Sequence, residues 1–258
     1  MVNKWTWEET VIAFNVYCKI PFKDSSKTNP LIIRYAKLIG RTPSALNMKI
    51  GNLGRLDPKL KERGIAGLAH GAKVEQEVWN EFYKNPDKFV YESECLIAKY
   101  AKTDVWSVAN IDVGNLPEGK ERLALVKQRV NQSFFRSAVM CSYNNRCCIS
   151  GVGNPELLEA CHIVDWSDDK TNRSNPENGL CLNSLFHKAY DKYLISITPD
   201  YNVIISEEMI ERTEDGTFKD YLRGLQNRKL IMPNRFYPNP DFLDDHYRRF
   251  LKRQVTLK

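Results

Sequence analysis

The chain lacks the features that would place it in a membrane or outside the cell. Its 258 residues contain no apolar run near the roughly 20 residues of a membrane-spanning helix, and no apolar signal segment follows Met1. Its seven cysteines are an odd number without a CxxC pair, which argues against a disulfide framework and a structural zinc site. We therefore expect a soluble cytoplasmic protein with reduced thiols and no membrane partner.

Histidine is also scarce, with four residues, whereas cations are in mild excess. Lys and Arg total 38 against 32 for Asp and Glu, which gives a formal net charge of +6. Such an excess suits a polyanionic partner, although many soluble proteins carry it without one. The charge alone does not identify a nucleic-acid-binding protein.

The first hundred residues predict helices. Thr6 and Glu9 form a capping box, and the pairs Asn29-Pro30 and Thr42-Pro43 each combine an N-cap with proline at the first helical position. Helices are therefore expected through about residue 18, over 31–39 and from 43 to about 53. The short turn between the last two indicates a helix-turn-helix arrangement.

The last of these helices has two distinct faces. Leu46, Ile50 and Leu53 fall on one face and are expected to pack inward. The residues outside that stripe are Ser44, Asn47, Met48, Asn52 and Arg55. Small polar and basic side chains of this kind read bases in the major groove, so Ser44, Asn47 and Arg55 are candidates for DNA contact. The alternative is a plain three-helix bundle whose third helix is solvated.

Further helices are predicted over 72–83 and 92–102, followed by a stretch without clear periodicity at 105–120. This stretch is interpreted as a linker between a helical domain at 1–104, expected to recognise DNA, and a second domain at 121–258. A long helix over 121–143 then places Val126, Val130, Phe134 and Ala138 on a buried stripe. Its outer face carries Arg129, Gln132 and Arg136, which either follow a phosphate backbone or form a solvated face.

The residues that carry chemistry follow this helix. Short strands are predicted at 147–151 and 157–164, the second containing Glu159, Cys161 and His162. After a polar loop, a helix that begins near Asn183 carries His187 and Asp191 at i, i+4, so that both lie on one face. We expect His162 to face these two residues across the strand pair. A neutral histidine can take a proton from water and a bound cation can neutralise a phosphate, which are the requirements of phosphodiester hydrolysis.

The segments 159–163, 175–180 and 187–191 together resemble the HNH nuclease motif of the ββα-metal fold. The likeness extends upstream over 127–136 and downstream over 195–206 and the C-terminal segment, and residues 40–44 resemble the region that precedes this nuclease in bacterial restriction-type proteins. It implies a mostly α fold with a small α+β core, in which a helix-turn-helix-like domain precedes the nuclease domain.

The resemblance also implies a role for each motif residue. His162 matches the general base, Asn178 the asparagine that braces the loop and aligns that base, and His187 a metal ligand on the helix. Asp191 stands where some members place another ligand. His70 and His246 lack such partners and are interpreted as a loop residue and as part of one face of the last helix.

One position departs from the pattern. Many family members place a metal-binding histidine or aspartate directly before the base, but this chain has Cys161, and a thiolate is a poor ligand for a hard cation. Glu159 shares its strand face and could supply the missing oxygen, or it could form a salt bridge to a nearby Arg or Lys.

The sequence thus predicts a metal-dependent endonuclease of double-stranded DNA that uses Mg²⁺, or alternatively Mn²⁺, in the restriction of foreign or modified DNA. A homing or phage-packaging nuclease, a DNA-binding regulator without activity and an RNA-directed enzyme are the alternatives. Because a double-strand cut needs two active sites or two visits, a homodimer is left open.

Overall fold

The computed structural model describes residues 4–64, 71–114 and 116–256, so that His70 lies outside the described residues. The elements of its N-terminal half are helices α1 (Trp7–Lys19), α2 (Pro30–Leu38), α3 (Pro43–Gly54), α4 (Pro58–Glu62), α5 (Lys73–Lys84), α6 (Pro86–Ala101) and α7 (Val105–Val108).

The second half combines helices with two small hairpins. Its elements are α8 (Lys120–Ser142), β1 (Leu158–His162), β2 (Gly179–Asn183), α9 (Ser184–Asp191), β3 (Ile195–Ile197), β4 (Val203–Ile205), α10 (Glu207–Glu211), α11 (Gly216–Leu225) and α12 (Pro240–Thr256). The protein is therefore mostly α with a small α+β core, as predicted. No helix among the described residues is long and apolar enough to cross a membrane.

Local capping sets the starts of the N-terminal helices. The Thr6 hydroxyl accepts the Glu9 amide at 3.1 Å while the Glu9 carboxylate accepts the Thr6 amide at 2.9 Å, which confirms the capping box. Asn29 and Thr42 cap α2 and α3 as predicted. The predicted start of α6 at residue 92 was wrong, because Asn85 caps the helix and Pro86 is its first residue.

Aromatic rings fill the core of the N-terminal half. Phe14 of α1 lies 4.8 Å from Phe82, 5.5 Å from Phe89 and 5.8 Å from Trp79, measured between ring centroids. These rings come from α1, α5 and α6, so that packing of large apolar surfaces holds the three helices together. Ile32, Leu46, Ile50 and Leu53 complete this core from α2 and α3.

Helix α8 is buried on two faces. Phe134 and Ala138 pack into the aromatic N-terminal core, whereas Phe135 and Val139 pack into the core beneath β1 and β2. Its first turns are covered by a third cluster around Leu116. The apolar stripe predicted from the sequence is confirmed, and the second face adds to it. The division into domains at 105–120 stays a prediction.

The strand pairing differs from the prediction. β1 pairs with β2 in antiparallel register, with Glu159 opposite Leu182 and His162 opposite Gly179. The predicted strand at 147–151 is a turn, in which the Gly151 amide donates to the Cys147 carbonyl at 2.9 Å and Gly151 has a φ of +77°. The polar loop at 163–178 therefore joins the two strands of the hairpin.

A buried arginine fastens the C-terminal segment to α1. Arg235 is fully buried and donates to the carbonyls of Cys18 and Ile20 at the end of α1. Its guanidinium also lies 4.5 Å from the ring centroid of Tyr17. The free carbonyls at a helix C-terminus favour a cation, so this contact stabilises the packing of the two halves.

Replacing Gly179 with alanine should destabilise the protein. A Cβ atom there would clash with Val139 Cγ2 and would lie 2.9 Å from Phe135 Cζ, because α8 crosses β2 at this glycine. Overpacking of this kind costs about 1–3 kcal/mol, so Gly179→Ala should lower the free energy of unfolding in urea by that amount. Gly216→Ala is the matched control, since nothing lies within 4 Å of its added Cβ. Equal stability of the two variants would contradict the close packing of α8 on β2.

His246 should make the protein sensitive to acid. Burial, with a smaller contribution from Arg249, lowers the pKa of His246 from 6.5 to about 4, and the neutral ring accepts from Ser196 Oγ at 2.9 Å while donating to the Tyr190 carbonyl at 3.2 Å. The unfolded chain therefore takes up this proton first. Stability should fall between pH 6.5 and 4 by on the order of 3 kcal/mol from this group. Urea unfolding of wild type and His246→Phe at pH 7 and 4.5 measures it. An equal pH effect in both would contradict the assignment.

Candidate catalytic and metal site

The two faces of β1 separate the candidate residues. Because successive side chains of a strand point to opposite sides, Glu159 and Cys161 contact α9, whereas the ring of His162 lies on Phe135 of α8. Helix α9 begins at the Asn183 cap, whose side chain accepts the Phe186 amide at 2.8 Å. This start places His187 and Asp191 one turn apart beside β1.

Glu159, His187 and Asp191 form a row of possible ligands. The Glu159 carboxylate contacts His187 Nδ1 and accepts from Ser184 Oγ at 2.7 Å. On the other side of the imidazole, Nε2 lies 3.6 Å from Asp191 Oδ2. Hydrogen bonds from Ser184 and His187 lower the pKa of Glu159, so this carboxylate is ionised at neutral pH. The sequence leaves two roles open for Glu159, a metal ligand or a salt bridge to Arg or Lys. The side chain that Glu159 contacts is His187, a histidine of the motif.

Cys161 joins the same group from inside the core. Its Sγ lies 3.9 Å from Asp191 Oδ1, and the possible ligand atoms of Cys161, His187 and Asp191 all lie within 4.8 Å of one another. Burial, with the Asp191 carboxylate as the next cause, raises the pKa of the Cys161 thiol well above its ordinary value. The structure therefore groups Cys161 with His187 and Asp191, whereas Glu159 contacts the opposite, Nδ1 side of His187. One ion bound by both Glu159 and Asp191 requires the Glu159 carboxylate to move away from Nδ1.

The side chains present fit a divalent cation. Two carboxylates and one imidazole are oxygen and nitrogen donors of the kind that such ions take in proteins. Both carboxylates are partly exposed, with 43% of the Glu159 side chain and 46% of Asp191 accessible. A hydrated ion could therefore reach them without unfolding of the hairpin. A thiol in the same group leaves a softer ion such as Zn²⁺ as the alternative.

His162 is held by contacts on three sides. Its ring stacks on Phe135 at 3.8 Å between centroids, with Trp166 edge-on at 5.5 Å. Nε2 donates to the Arg173 carbonyl at 2.9 Å, which leaves the lone pair of a neutral ring on Nδ1. Burial lowers the pKa of His162 below its ordinary value, so the neutral form is favoured. The ring of His162 thus packs on α8 because adjacent residues of a strand point to opposite faces. That it faces His187 and Asp191 of α9 stays a prediction.

Asn178 braces the loop between the strands. Its Oδ1 accepts the Val164 amide at 2.8 Å, and its Nδ2 donates to the carbonyls of Val164 at 3.2 Å and Asn172 at 3.4 Å. The side chain is buried. It therefore holds the loop, whereas the imidazole of His162 donates its direct hydrogen bond to the Arg173 carbonyl.

One small cleft lies between the base candidate His162 and one of the ligand candidates, Asp191. It is lined by His162, Asp165, Asp191, Tyr193 and Arg249, among others. His162 of β1 and Asp191 at the end of α9 thus line the same cleft.

The comparison with protein families agrees with this geometry. The family model described as HNH endonuclease matches residues 147–198, which include β1, the loop, β2, α9 and β3. Residues 147–198 are an HNH endonuclease domain. No curated protein and no solved structure matches the chain significantly. The region before residue 147 has no counterpart in these comparisons.

Three of the DNA-binding candidates lie next to the HNH domain. Arg129, Gln132 and Arg136 are exposed and follow one face of α8 at spacings of three and four residues. Arg136 Nη2 donates to the Leu158 carbonyl at 2.9 Å, directly before Glu159. The stripe therefore ends beside the candidate site.

The DNA-binding candidates at α3 do not lie beside the stripe of α8. Ser44 is exposed, but Asn47 accepts from Ser25 Oγ at 3.0 Å, and Arg55 pairs with the buried Glu75 at 3.4 Å. None of them lines the cleft. That α3 reads DNA stays a prediction.

The arginines of α12 have carboxylate partners. Arg248 lies 2.5 Å from Asp244, Arg249 lies 2.5 Å from Asp168, and Arg253 lies 2.7 Å from Glu208. These pairs offset much of the positive charge of α12. We therefore leave α12 out of the proposed DNA path.

Two functional contacts were missed by sequence reasoning. The Arg173 carbonyl is a backbone atom, so no residue type marks it. Phe135 follows Phe134 of the predicted apolar stripe and was not recognised as a separate contact. Its spacing of i, i+4 from Val139 indicates that α8 has a second buried face.

Glu159→Gln and Cys161→Ala should separate the two candidate ligands. If Glu159 binds the cation, loss of its charge should weaken Mn²⁺ binding by roughly 10- to 100-fold, because an amide oxygen neutralises far less of the metal charge. Cys161→Ala should bind Mn²⁺ like the wild type. Mn²⁺ titration followed by electron paramagnetic resonance measures both, with circular dichroism as the control for folding. Weakened binding in Cys161→Ala alone would exclude Glu159 as a ligand.

Proposed function

We propose that this chain is a metal-dependent endonuclease that hydrolyses phosphodiester bonds of double-stranded DNA, leaving 5′-phosphate and 3′-hydroxyl ends. The observation that carries the proposal is the position of His162, whose Nε2 is occupied by the Arg173 carbonyl while its ring lines the same cleft as Asp191. A histidine fixed in this way presents Nδ1 to a molecule in the cleft.

His162 acts as the general base in this proposal. Its Nδ1 lone pair takes the proton of a water that attacks phosphorus. The stack on Phe135 and the hydrogen bond to Arg173 restrict rotation of the ring, so that Nδ1 stays directed at the water. Asn178 supports the loop that supplies this hydrogen bond.

Glu159, His187 and Asp191 hold the divalent cation, Mg²⁺ or alternatively Mn²⁺. When bound, the cation supplies neutralisation of the phosphate and of the leaving oxygen. Ser184 orients the Glu159 carboxylate, and the i, i+4 spacing on α9 keeps His187 and Asp191 together. These residues act as ligands and take no proton from water.

The exposed stripe of Arg129, Gln132 and Arg136 guides the DNA backbone to the cleft. A groove of about 500 Å³ runs along the same side of α8, between it and α2, and is lined by Arg34, Ser133 and Arg136. Arginines along a groove of this kind contact phosphates without regard to sequence. Sequence reading by Ser44, Asn47 and Arg55 of α3, within a recognition domain at 1–104, belongs to the same proposal.

The proposed biological role is restriction of foreign or modified DNA. It follows the resemblance of the 40–44 region to restriction-type proteins and the combination of a helical N-terminal half with a nuclease. A homodimer would supply the two active sites that a double-strand cut requires.

Nicking of supercoiled plasmid tests the catalytic proposal. Purified protein should convert the plasmid to open circles with Mg²⁺ or Mn²⁺, and EDTA should stop the reaction. A folded, DNA-binding protein without cleavage would make it a regulator, and cleavage of an RNA substrate but not of DNA would make it a ribonuclease.

His162→Ala should abolish most cleavage without loss of DNA binding. Removal of a general base costs ~10²–10⁴-fold in rate, while the α8 stripe that binds DNA remains intact. Single-turnover nicking measures the rate, and a gel-shift titration with Ca²⁺ in place of Mg²⁺ measures binding. Wild-type turnover by this variant would show that another group is the base.

A further inference from the structure

We propose that Asp87, in the N-terminal half, is a positioning residue that holds the loop carbonyl on which His162 depends. The inference rests on the proposed function for the role of His162, but Asp87 and Asn131 themselves lie outside residues 147–198. It makes the N-terminal helices part of the support of the active site, in addition to the recognition role proposed for them.

A buried hydrogen-bond network joins Asp87 to the loop. Asp87 Oδ1 accepts from Ser174 Oγ at 3.0 Å and from Asn131 Nδ2 at 2.7 Å. Asn131 also donates to the Asp87 carbonyl at 2.9 Å. Ser174 and Asn131 are both fully buried, so water does not readily replace Asp87, and loss of its carboxylate would leave two buried polar groups with one partner fewer.

Ser174 connects this network to the imidazole of His162 through the neighbouring Arg173 carbonyl. Ser174 follows Arg173, so the Arg173 carbonyl and the Ser174 amide belong to one planar peptide unit. Fixing Ser174 by its hydroxyl therefore restricts rotation of the carbonyl that accepts His162 Nε2–H. Without this hold, the carbonyl can turn away and the imidazole can exchange its two neutral tautomers.

Two neighbouring contacts of the helices also restrict the movement of the loop and of His162. Asn131 and Phe135 are one turn apart on α8, so the helix that binds Asp87 also carries the ring stacked on His162. Farther along the loop, Tyr83 of α5 donates to Glu177 Oε1 at 2.7 Å. The N-terminal helices thus hold the loop on both sides of Asn175.

Asp87 does not serve as the cap of its own helix. That role belongs to Asn85, whose side chain accepts the Lys88 amide at 3.0 Å. The Asp87 oxygen is directed instead at α8 and at the loop. An acidic residue in the first turn of a helix interacts favourably with the helix dipole. This interaction does not require the contacts with Asn131 and Ser174.

Two variants break the link at different points, and one preserves it. Asp87→Ala removes the acceptor, and Ser174→Ala removes the donor while leaving the Asp87–Asn131 contact. Asp87→Asn keeps an oxygen that can accept both hydrogen bonds and should restore the wild-type behaviour. Asp220→Ala is the control, since the Asp220 side chain is 79% exposed and pairs with Arg223 on α11.

The tautomer of His162 gives a readout that does not depend on cleavage. Two-bond ¹H–¹⁵N correlation spectra of the full chain, with the His162 signal assigned by its loss in His162→Ala, should show the Nε2–H form in wild type, Asp87→Asn and Asp220→Ala. Asp87→Ala and Ser174→Ala should show a mixture of both tautomers. An unchanged Nε2–H form in Ser174→Ala would overturn the inference.

Cleavage kinetics provide the functional readout. In Asp87→Ala and Ser174→Ala, kcat should fall by roughly 10- to 100-fold, as misplacement of a catalytic group by about 1 Å produces, while KM for DNA stays unchanged. A rise in KM with unchanged kcat would overturn the positioning role. Absence of cleavage by the wild-type protein would refute the proposed nuclease, and the tautomer spectra would still decide the role of Asp87.

Discussion

The packing of α8 into two cores is the constraint on which the rest of the structure depends. Phe134 and Phe135 are neighbours in sequence, yet they point into different clusters, one aromatic and N-terminal and the other beneath the β1–β2 hairpin. A helix buried on two sides cannot rotate or slide without opening one core. It therefore fixes the hairpin against α1, α5 and α6, and the contact of Arg235 with the end of α1 fixes the same arrangement from the C-terminal side.

This arrangement gives β1 a different neighbour on each face. Glu159 and Cys161 contact His187 and Asp191 of α9, while His162 contacts the ring of Phe135 and the loop carbonyl of Arg173. Ligands and base can thus come from one five-residue strand without competing for one position. In the proposed mechanism, the separation keeps the His162 lone pair free of the cation.

Much of the fold could be predicted from the sequence because its signals are local. The caps at Thr6, Asn29 and Thr42, the stripe of α8 and the i, i+4 spacing of His187 and Asp191 all lie within a few residues. The partner of β1 could not be predicted in this way, since β2 lies beyond a loop of 16 residues, from 163 to 178, and the apolar segment at 147–151 offered a nearer partner. The opposite directions of Cys161 and His162 follow from the alternation of side chains along a strand. The Arg173 carbonyl and the Asp87–Ser174 contact depend on tertiary packing, for which residue types give no signal.

The claim on which this account depends most is that Glu159, His187 and Asp191 hold one divalent cation in the HNH domain. Anomalous diffraction from a crystal soaked with Mn²⁺ tests it most directly. One peak is expected within about 2.0–2.6 Å of oxygens of both carboxylates and of an imidazole nitrogen of His187, the range of hard-cation ligand distances. A peak bound to Cys161 Sγ and more than about 3 Å from every Glu159 oxygen, or no ion in this group at saturating Mn²⁺, would contradict it.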